Sequence, residues 1–111
     1  MKILVTGGNG FIGSHIVDAL IQSGYQIRVF DLTPNPFGDE IEGVEYVYGS
    51  IQDKELMGEA MNGIDIVCHF VSTTVPSTSN RKPIFDIESN LISAINILEM
   101  MREKKMNRII Y

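Results

Sequence analysis

Between a run of apolar residues and an amphipathic stretch the chain reads Thr6-Gly7-Gly8-Asn9-Gly10-Phe11-Ile12-Gly13. Glycines spaced this way suit one chemical task, holding a pyrophosphate where a strand turns into a helix. Gly7 permits the tight turn, Gly10 lets bare backbone approach the phosphates, and Gly13 lets the helix lie close on the strand. The start of that helix, at Phe11 and Ile12, presents N–H groups without intrahelical partners to the phosphate charge. Glycine turns join strands to helices in many proteins, so the turn alone is a weak signal. The second half of the pattern is Asp31, which ends the next apolar run 18 residues after Gly13. A carboxylate at that distance accepts hydrogen bonds from ribose hydroxyls and repels a 2′-phosphate, which selects NAD over NADP.

Other reactive side chains carry less. His69 ends an apolar run and reads as a hydrogen-bonded core histidine rather than a catalyst. His15, inside the first helix, has no partner motif and reads as surface or helix packing. Asp53 suits a helix N-cap. The single cysteine, Cys68, excludes an internal disulfide, which fits a reducing compartment. No metal site is expected.

These residues need a frame, and the hydrophobic pattern supplies one. Apolar runs of strand length alternate with segments of helical periodicity, the pattern of a parallel sheet covered by helices. Strands are expected at Lys2–Thr6, Gln26–Asp31, Val44–Tyr48, Asp65–Val71 and from Arg108 to Tyr111. A first helix should span Phe11–Ser23 with Ile12, Ile16, Ala19 and Leu20 on its inner side, closed by Gly24. Pro34, Pro36 and Gly38 make Thr33–Gly43 a loop. A second helix should run from Asp53 to Met61. The polar segment Ser72–Lys82 is a loop, and a long helix is expected from Ile84 to Lys105. Its apolar stripe is Ile84, Ile87, Leu91, Ile95 and Leu98, with Arg102, Lys104 and Lys105 at its negative end. The pattern makes the fold class α/β, and the dinucleotide-binding turn implies a Rossmann-type doubly wound parallel sheet of about five strands in the order 3-2-1-4-5. The chain ends within the fifth strand.

Composition bounds the partners. The 111 residues make one domain, and 44% hydrophobic content is that of an ordinary globular chain. A net charge of −5 argues against non-specific attraction to nucleic acid or an anionic membrane. No apolar stretch is long enough for a bilayer, and Ile3-Leu4-Val5 is too short for a signal-peptide core. The cytoplasm is the expected compartment.

The glycine turn and Asp31 together resemble the extended short-chain dehydrogenase/reductase family. Within it they look like the nucleotide-sugar epimerases and dehydratases, the UDP-glucose 4-epimerase group above all. The family's turn T-G-x-x-G-F-I-G is matched at every fixed position, and later segments follow in order. Gly49-Ser50-Ile51-Gln52-Asp53 is similar to the family's G-D-[IL]-x-D, whose first aspartate bonds the adenine amino group. Ser50 stands in that aspartate's place, while the Ile51 N–H can still serve the adenine ring. His69-Phe70-Val71-Ser72 is similar to H-x-A-A beside the diphosphate and nicotinamide ribose, so the resemblance places Phe70, Val71 and Ser72 there. It also places Ser89 and Asn90, ahead of Asn96-Ile97-Leu98-Glu99, near the nicotinamide. A plain polar surface position is an equal reading of both.

Family catalysis uses a Ser or Thr after the fifth strand and a Tyr-x-x-x-Lys on the next helix. Tyr25 is followed four residues later by Val29, Tyr46 by Ser50 and Tyr48 by Gln52, and Tyr111 is last. No catalytic residue is therefore assigned. The resemblance implies that residues 1–111 are the N-terminal part of the NAD-binding domain of a protein about three times as long. The segment with the tyrosine–lysine pair and the substrate domain lie outside it. It implies a nucleotide-sugar substrate and a homodimer for the parent, and no turnover by this stretch alone. Two other readings stay open: an NAD-binding sensor of the same fold, and a superfamily reductase acting on a non-sugar substrate. The hydroxyl-rich loop from Ser72 to Asn80 leans towards a sugar.

Overall fold

The computed structural model describes residues 1–34, 38–71 and 91–110. Its centre is β1 (Lys2–Thr6), whose side chains alternate between two buried faces: Ile3 and Val5 to one, Leu4 to the other. A strand apolar on both faces belongs in the middle of a sheet covered on both sides. Accordingly β1 pairs in parallel with β2 (Gln26–Asp31) and with β4 (Ile66–His69). Outside them lie β3 (Glu45–Tyr48) and β5 (Ile109–Ile110), in the expected order β3-β2-β1-β4-β5. The order reverses between β1 and β4, and such a switch opens a crevice beyond the strands' carboxyl ends.

Helix α1 (Phe11–Gln22) covers the face carrying Ile3, Val5, Ile27 and Val29. It ends in a Schellman turn: the Gly24 N–H bonds Ile21 O, the Tyr25 N–H bonds Leu20 O, and Gly24 has φ +88°. Its inner side is Gly13 and Val17, with Leu20 and Ile21 half-buried, whereas Ile12 and Ala19 are exposed. The expected stripe is thus rotated. The cause is Gly13, where a Cβ would stand 2.0 Å from Gly7 O, so the helix is turned to press its bare glycine on the loop.

The opposite face is covered by α2 (Lys54–Ala60) and α3 (Ser93–Glu103). Asp53 caps α2 by accepting the Leu56 N–H at 3.1 Å. Arg28 of β2 binds the other end, donating Nη1 to Ala60 O at 2.6 Å and Asn62 O at 2.7 Å. Its Nε meets Glu45 of β3 at 2.7 Å, and Lys2 pairs with the same carboxylate.

Helix α3 buries Ser93, Ile97 and Met101 against this face. The stripe read from sequence points away: Leu91, Ile95 and Leu98 are 57%, 44% and 41% exposed. A π-helical turn at Leu91–Ile92 leads into α3, and the side of the helix that meets the sheet is the one carrying Ser93, Ile97 and Met101. Ile84 and Ile87 lie outside the described residues. The helix stops at Glu103, not Lys105. Lys105 takes φ +58° as the Met106 N–H bonds Met101 O and the Lys105 N–H bonds Arg102 O.

Strand boundaries differ slightly from expectation. β3 begins at Glu45, one residue later, and Tyr111 lies outside the described residues. β4 starts at Ile66 and ends at His69, two residues short of Val71. The chain leaves the sheet there because it passes over the glycine turn. A Cβ on Gly7 would stand 2.9 Å from Phe70 C and O and from Val71 N.

Candidate cofactor cleft

The carboxyl ends of β1, β2, β3 and β4 surround a cleft of about 380 Å³. Such a volume lies within the range of small-molecule sites. Its floor is the glycine turn. Gly7 has φ +73°, a conformation costly for any residue with a Cβ, and its N–H bonds Phe30 O at 2.8 Å. The Gly10 N–H then bonds Gly7 O at 3.1 Å, and Gly10 becomes the N-cap of α1. Gly10 brings no side-chain acceptor to the helix's first turn, and no acidic residue stands there. A Cβ at Gly10 would stand 3.3 Å from Gly7 O, closer than an ordinary contact, so bare backbone suits this position. A helix N-terminus left without its own anion is suited to receive one.

Asp31 closes the wall on the β2 side, and every part of it is held. Its carbonyl accepts the Gly49 N–H at 3.0 Å. One carboxylate oxygen accepts the Asn9 N–H at 3.0 Å, the other the Leu32 N–H at 2.7 Å. Each oxygen keeps acceptor capacity beyond these bonds. The carboxylate is therefore oriented without being used up. Asn9 is 4% exposed, and its Nδ2 donates to Thr33 O at 2.9 Å, so one side chain ties the glycine turn to the exit of β2.

The sequence-derived positions divide into three groups. Gly7, Gly10, Asp31, Ser50, Ile51, Phe70 and Val71 line the cleft together. Phe11 and Ile12 lie at the start of α1 as exposed residues, and Gly13 is buried behind the turn; none of the three is among the lining residues. Ser72, Ser89 and Asn90 fall outside the described residues. Sequence reasoning passed over Phe30, Leu32, Thr33, Gly49 and Gln52, which complete the lining. It also passed over Asn9, whose signal was available: a lone amide between glycines has few reasons to be there except to bond backbone.

His69 pairs with Thr6, Nδ1 to Oγ1 at 2.7 Å, and burial lowers its pKa below the ordinary 6.5. Thr6 is fully buried and His69 nearly so, as expected of a core histidine. His15 sits on the surface of α1, its Nδ1 2.7 Å from Phe11 O and its ring 5.0 Å from the Phe11 ring. Tyr48, opposite Asp31 in the β2–β3 ladder, donates its hydroxyl to Glu40 Oε1 at 2.6 Å. That carboxylate pushes its pKa up to about 12, so this tyrosine keeps its proton at neutral pH.

A parallel sheet that reverses order at the mouth of a glycine-floored cleft defines the Rossmann class of nucleotide-binding fold. Within that class the chain belongs to the NAD dependent epimerase/dehydratase family, whose sequence model matches residues 3–111. A putative UDP-glucose 4-epimerase of Methanocaldococcus jannaschii is 39% identical over 112 residues, which cover 98% of this chain and 36% of that protein. Among solved structures, UDP-glucose 4-epimerase of Thermotoga maritima with UDP-glucose superposes with a TM-score of 0.88 at 33% identity, covering 98% of this chain and 36% of that one. The Thermus thermophilus UDP-glucose 4-epimerase complex with NAD gives the same TM-score, identity and coverage. The chain thus spans about a third of the length of these relatives.

Proposed function

We propose that this chain is the NAD-binding portion of a nucleotide-sugar epimerase or dehydratase and does not turn over substrate by itself. The observation that carries the reading is Asp31, oriented by two backbone N–H groups at the edge of a cleft floored by an uncapped helix N-terminus. The residues fit the cofactor. Gly7, Gly10 and the first turn of α1 at Phe11, Ile12 and Gly13 would take the pyrophosphate. Asp31 would take the ribose hydroxyls. Ser50 and Ile51 would face the base, and Phe70, Val71, Ser72, Ser89 and Asn90 the nicotinamide side. Bound NAD supplies a hydride acceptor for a sugar hydroxyl. The chain's own part is to bind, orient and exclude the phosphorylated dinucleotide.

Proton transfer is left to another segment. No tyrosine here is followed by lysine at the fourth position, and Tyr48, with a pKa of about 12, is held in its protonated form. The whole protein would act in the cytoplasm as a homodimer paired through α3, whose outward face offers Leu91, Ile95 and Leu98.

Calorimetric titration of the chain with NAD and NADP tests the cofactor claim. NADP should bind at least about tenfold more weakly, and Asp31→Ala should cost NAD roughly 1.5–3 kcal/mol, the worth of a hydrogen bond to a charged group. Equal affinity for the two dinucleotides would remove the role given to Asp31. Assay of the whole protein on UDP-glucose, beside this chain, tests the rest: turnover by the 111 residues alone would overturn the division of labour.

A further inference from the structure

The Asp31 carboxylate is oriented on one side by the Asn9 N–H, and Asn9 is in turn held by its side chain. Its Nδ2 donates to Thr33 O at 2.9 Å, which occupies one of the two amide hydrogens. The other faces the hydroxyl oxygen of Tyr48. The Asn9 side chain favours the negative charge on that oxygen, so the amide presents an N–H to it.

The sheet places Tyr48 for this contact. In the parallel β2–β3 ladder Tyr48 stands opposite Asp31 and Tyr46 opposite Val29, so Asp31 and both tyrosines share the face that α1 covers. The two rings stack, with centroids 6.1 Å apart and planes 17° from parallel. Their hydroxyls grip consecutive residues of the chain leading into β3. Tyr46 accepts the Ile41 N–H at 2.9 Å, and Tyr48 donates to Glu40 Oε1 at 2.6 Å. The Tyr48 proton is thus committed to a carboxylate, and its oxygen is left as an acceptor for Asn9. Donors run one way, from the Asn9 amide through the phenol to Glu40, and each bond in such a line strengthens the next.

We propose that Tyr48, clamped by Glu40, is a positioning residue for the ribose carboxylate: its hydroxyl fixes the Asn9 side chain, and the fixed loop aims the Asn9 N–H at Asp31. The proposal rests on the reading that Asp31 takes the ribose hydroxyls of NAD. Neither Tyr48 nor Asn9 is among the residues lining the cleft, so both act on the dinucleotide through Asp31. Tyr48 is 38% exposed, and water screens its bond to Glu40. Loss of the hydroxyl therefore weakens NAD by about three- to tenfold, less than the loss of a buried charged bond.

The test is calorimetric titration with NAD of the wild type, Tyr48→Phe, Asp31→Ala and the double variant. Phenylalanine keeps the ring that stacks on Tyr46. Tyr48→Phe should cost about three- to tenfold where Asp31 is present and less than about twofold in the Asp31→Ala background. Glu40 gives an independent reading from an exposed position. Glu40→Ala should lose as much as Tyr48→Phe, and Glu40→Gln, which keeps an oxygen acceptor, should stay within about twofold of wild type. Equal losses in both Asp31 backgrounds would mark a general effect on the fold and overturn the proposal. Wild-type affinity in Tyr48→Phe or Glu40→Ala, or a Glu40→Gln as weak as Glu40→Ala, overturns it too. All of these leave the cofactor reading intact, because the wild type still binds NAD. Failure of the wild type to bind NAD brings down the cofactor reading, and this proposal with it.

Discussion

Asn9 shows how a small polar side chain sets up a charge it never touches with its own amide. Its Nδ2 fixes the loop through Thr33 O, and the loop then presents the Asn9 N–H to Asp31. His69 works in the other direction, holding the end of β4 to β1 through Thr6. Burial disfavours its imidazolium, so the folded pKa lies below 6.5. Between those two values the unfolded chain binds a proton that the native state refuses, so stability is full above pH 6.5 and declines as pH falls through the window. Urea midpoints should therefore drop as pH falls from above 6.5 to below it. His69→Gln should flatten that drop, and an unchanged slope in the variant would mean that His69 is not its source. Residue type alone made Gly7, Gly10 and Asp31 legible. Leu32, Thr33 and Gln52 were not, because they are ordinary residues whose only distinction is to follow a strand end.

Elements bear the geometry through their ends. α1 stops at Gly24, where a positive φ costs nothing, but α3 closes the same hydrogen-bonded turn with Lys105 at φ +58°. A residue with a Cβ in that conformation stores about 1 kcal/mol. Lys105→Gly should raise stability by about 0.5–1 kcal/mol, with the greater freedom of glycine in the unfolded chain offsetting part of the gain. Thermal or urea unfolding reads this directly. Lys105→Ala is the control, since alanine keeps the Cβ and should bring no gain; equal gains from both would disprove the strain. α2 illustrates a better secured element, capped at one end by Asp53 and at the other by Arg28 from across the sheet.

For the whole molecule, the question is what the outer face of α3 meets. Three aliphatic side chains at helical spacing, all more than 40% exposed, add to an apolar surface that the sheet does not use. If the whole protein pairs through this face, as proposed, Ile95→Glu sets like charges in the interface and should convert the dimer to monomers in sedimentation equilibrium. Unfolding free energy of the chain itself should change by no more than about 0.5 kcal/mol, because Ile95 lies outside the core. A variant that stays dimeric would show that pairing occurs elsewhere. Among the described residues no helix is long and apolar enough to cross a membrane.

The strands, the glycine turn and its acid could be read from the chain because each depends on local pattern, and the strand order followed from the nucleotide-binding turn that they frame. Continuous apolar runs mark strands buried on both faces, and glycine marks the points where backbone must turn or approach closely. Which side of a helix is inward could not be read so reliably. α1 is turned by the close approach at Gly13, where a Cβ would stand 2.0 Å from Gly7 O, and α3 has two apolar sides, of which the sheet takes the one with Ile97 and Met101. Nor does any local pattern say that Asn9 meets Thr33, or that Ser50 and Gln52 line the same cleft end as Leu32. Those neighbours are brought together only when four strand ends stand side by side, and it was the tertiary structure that decided them.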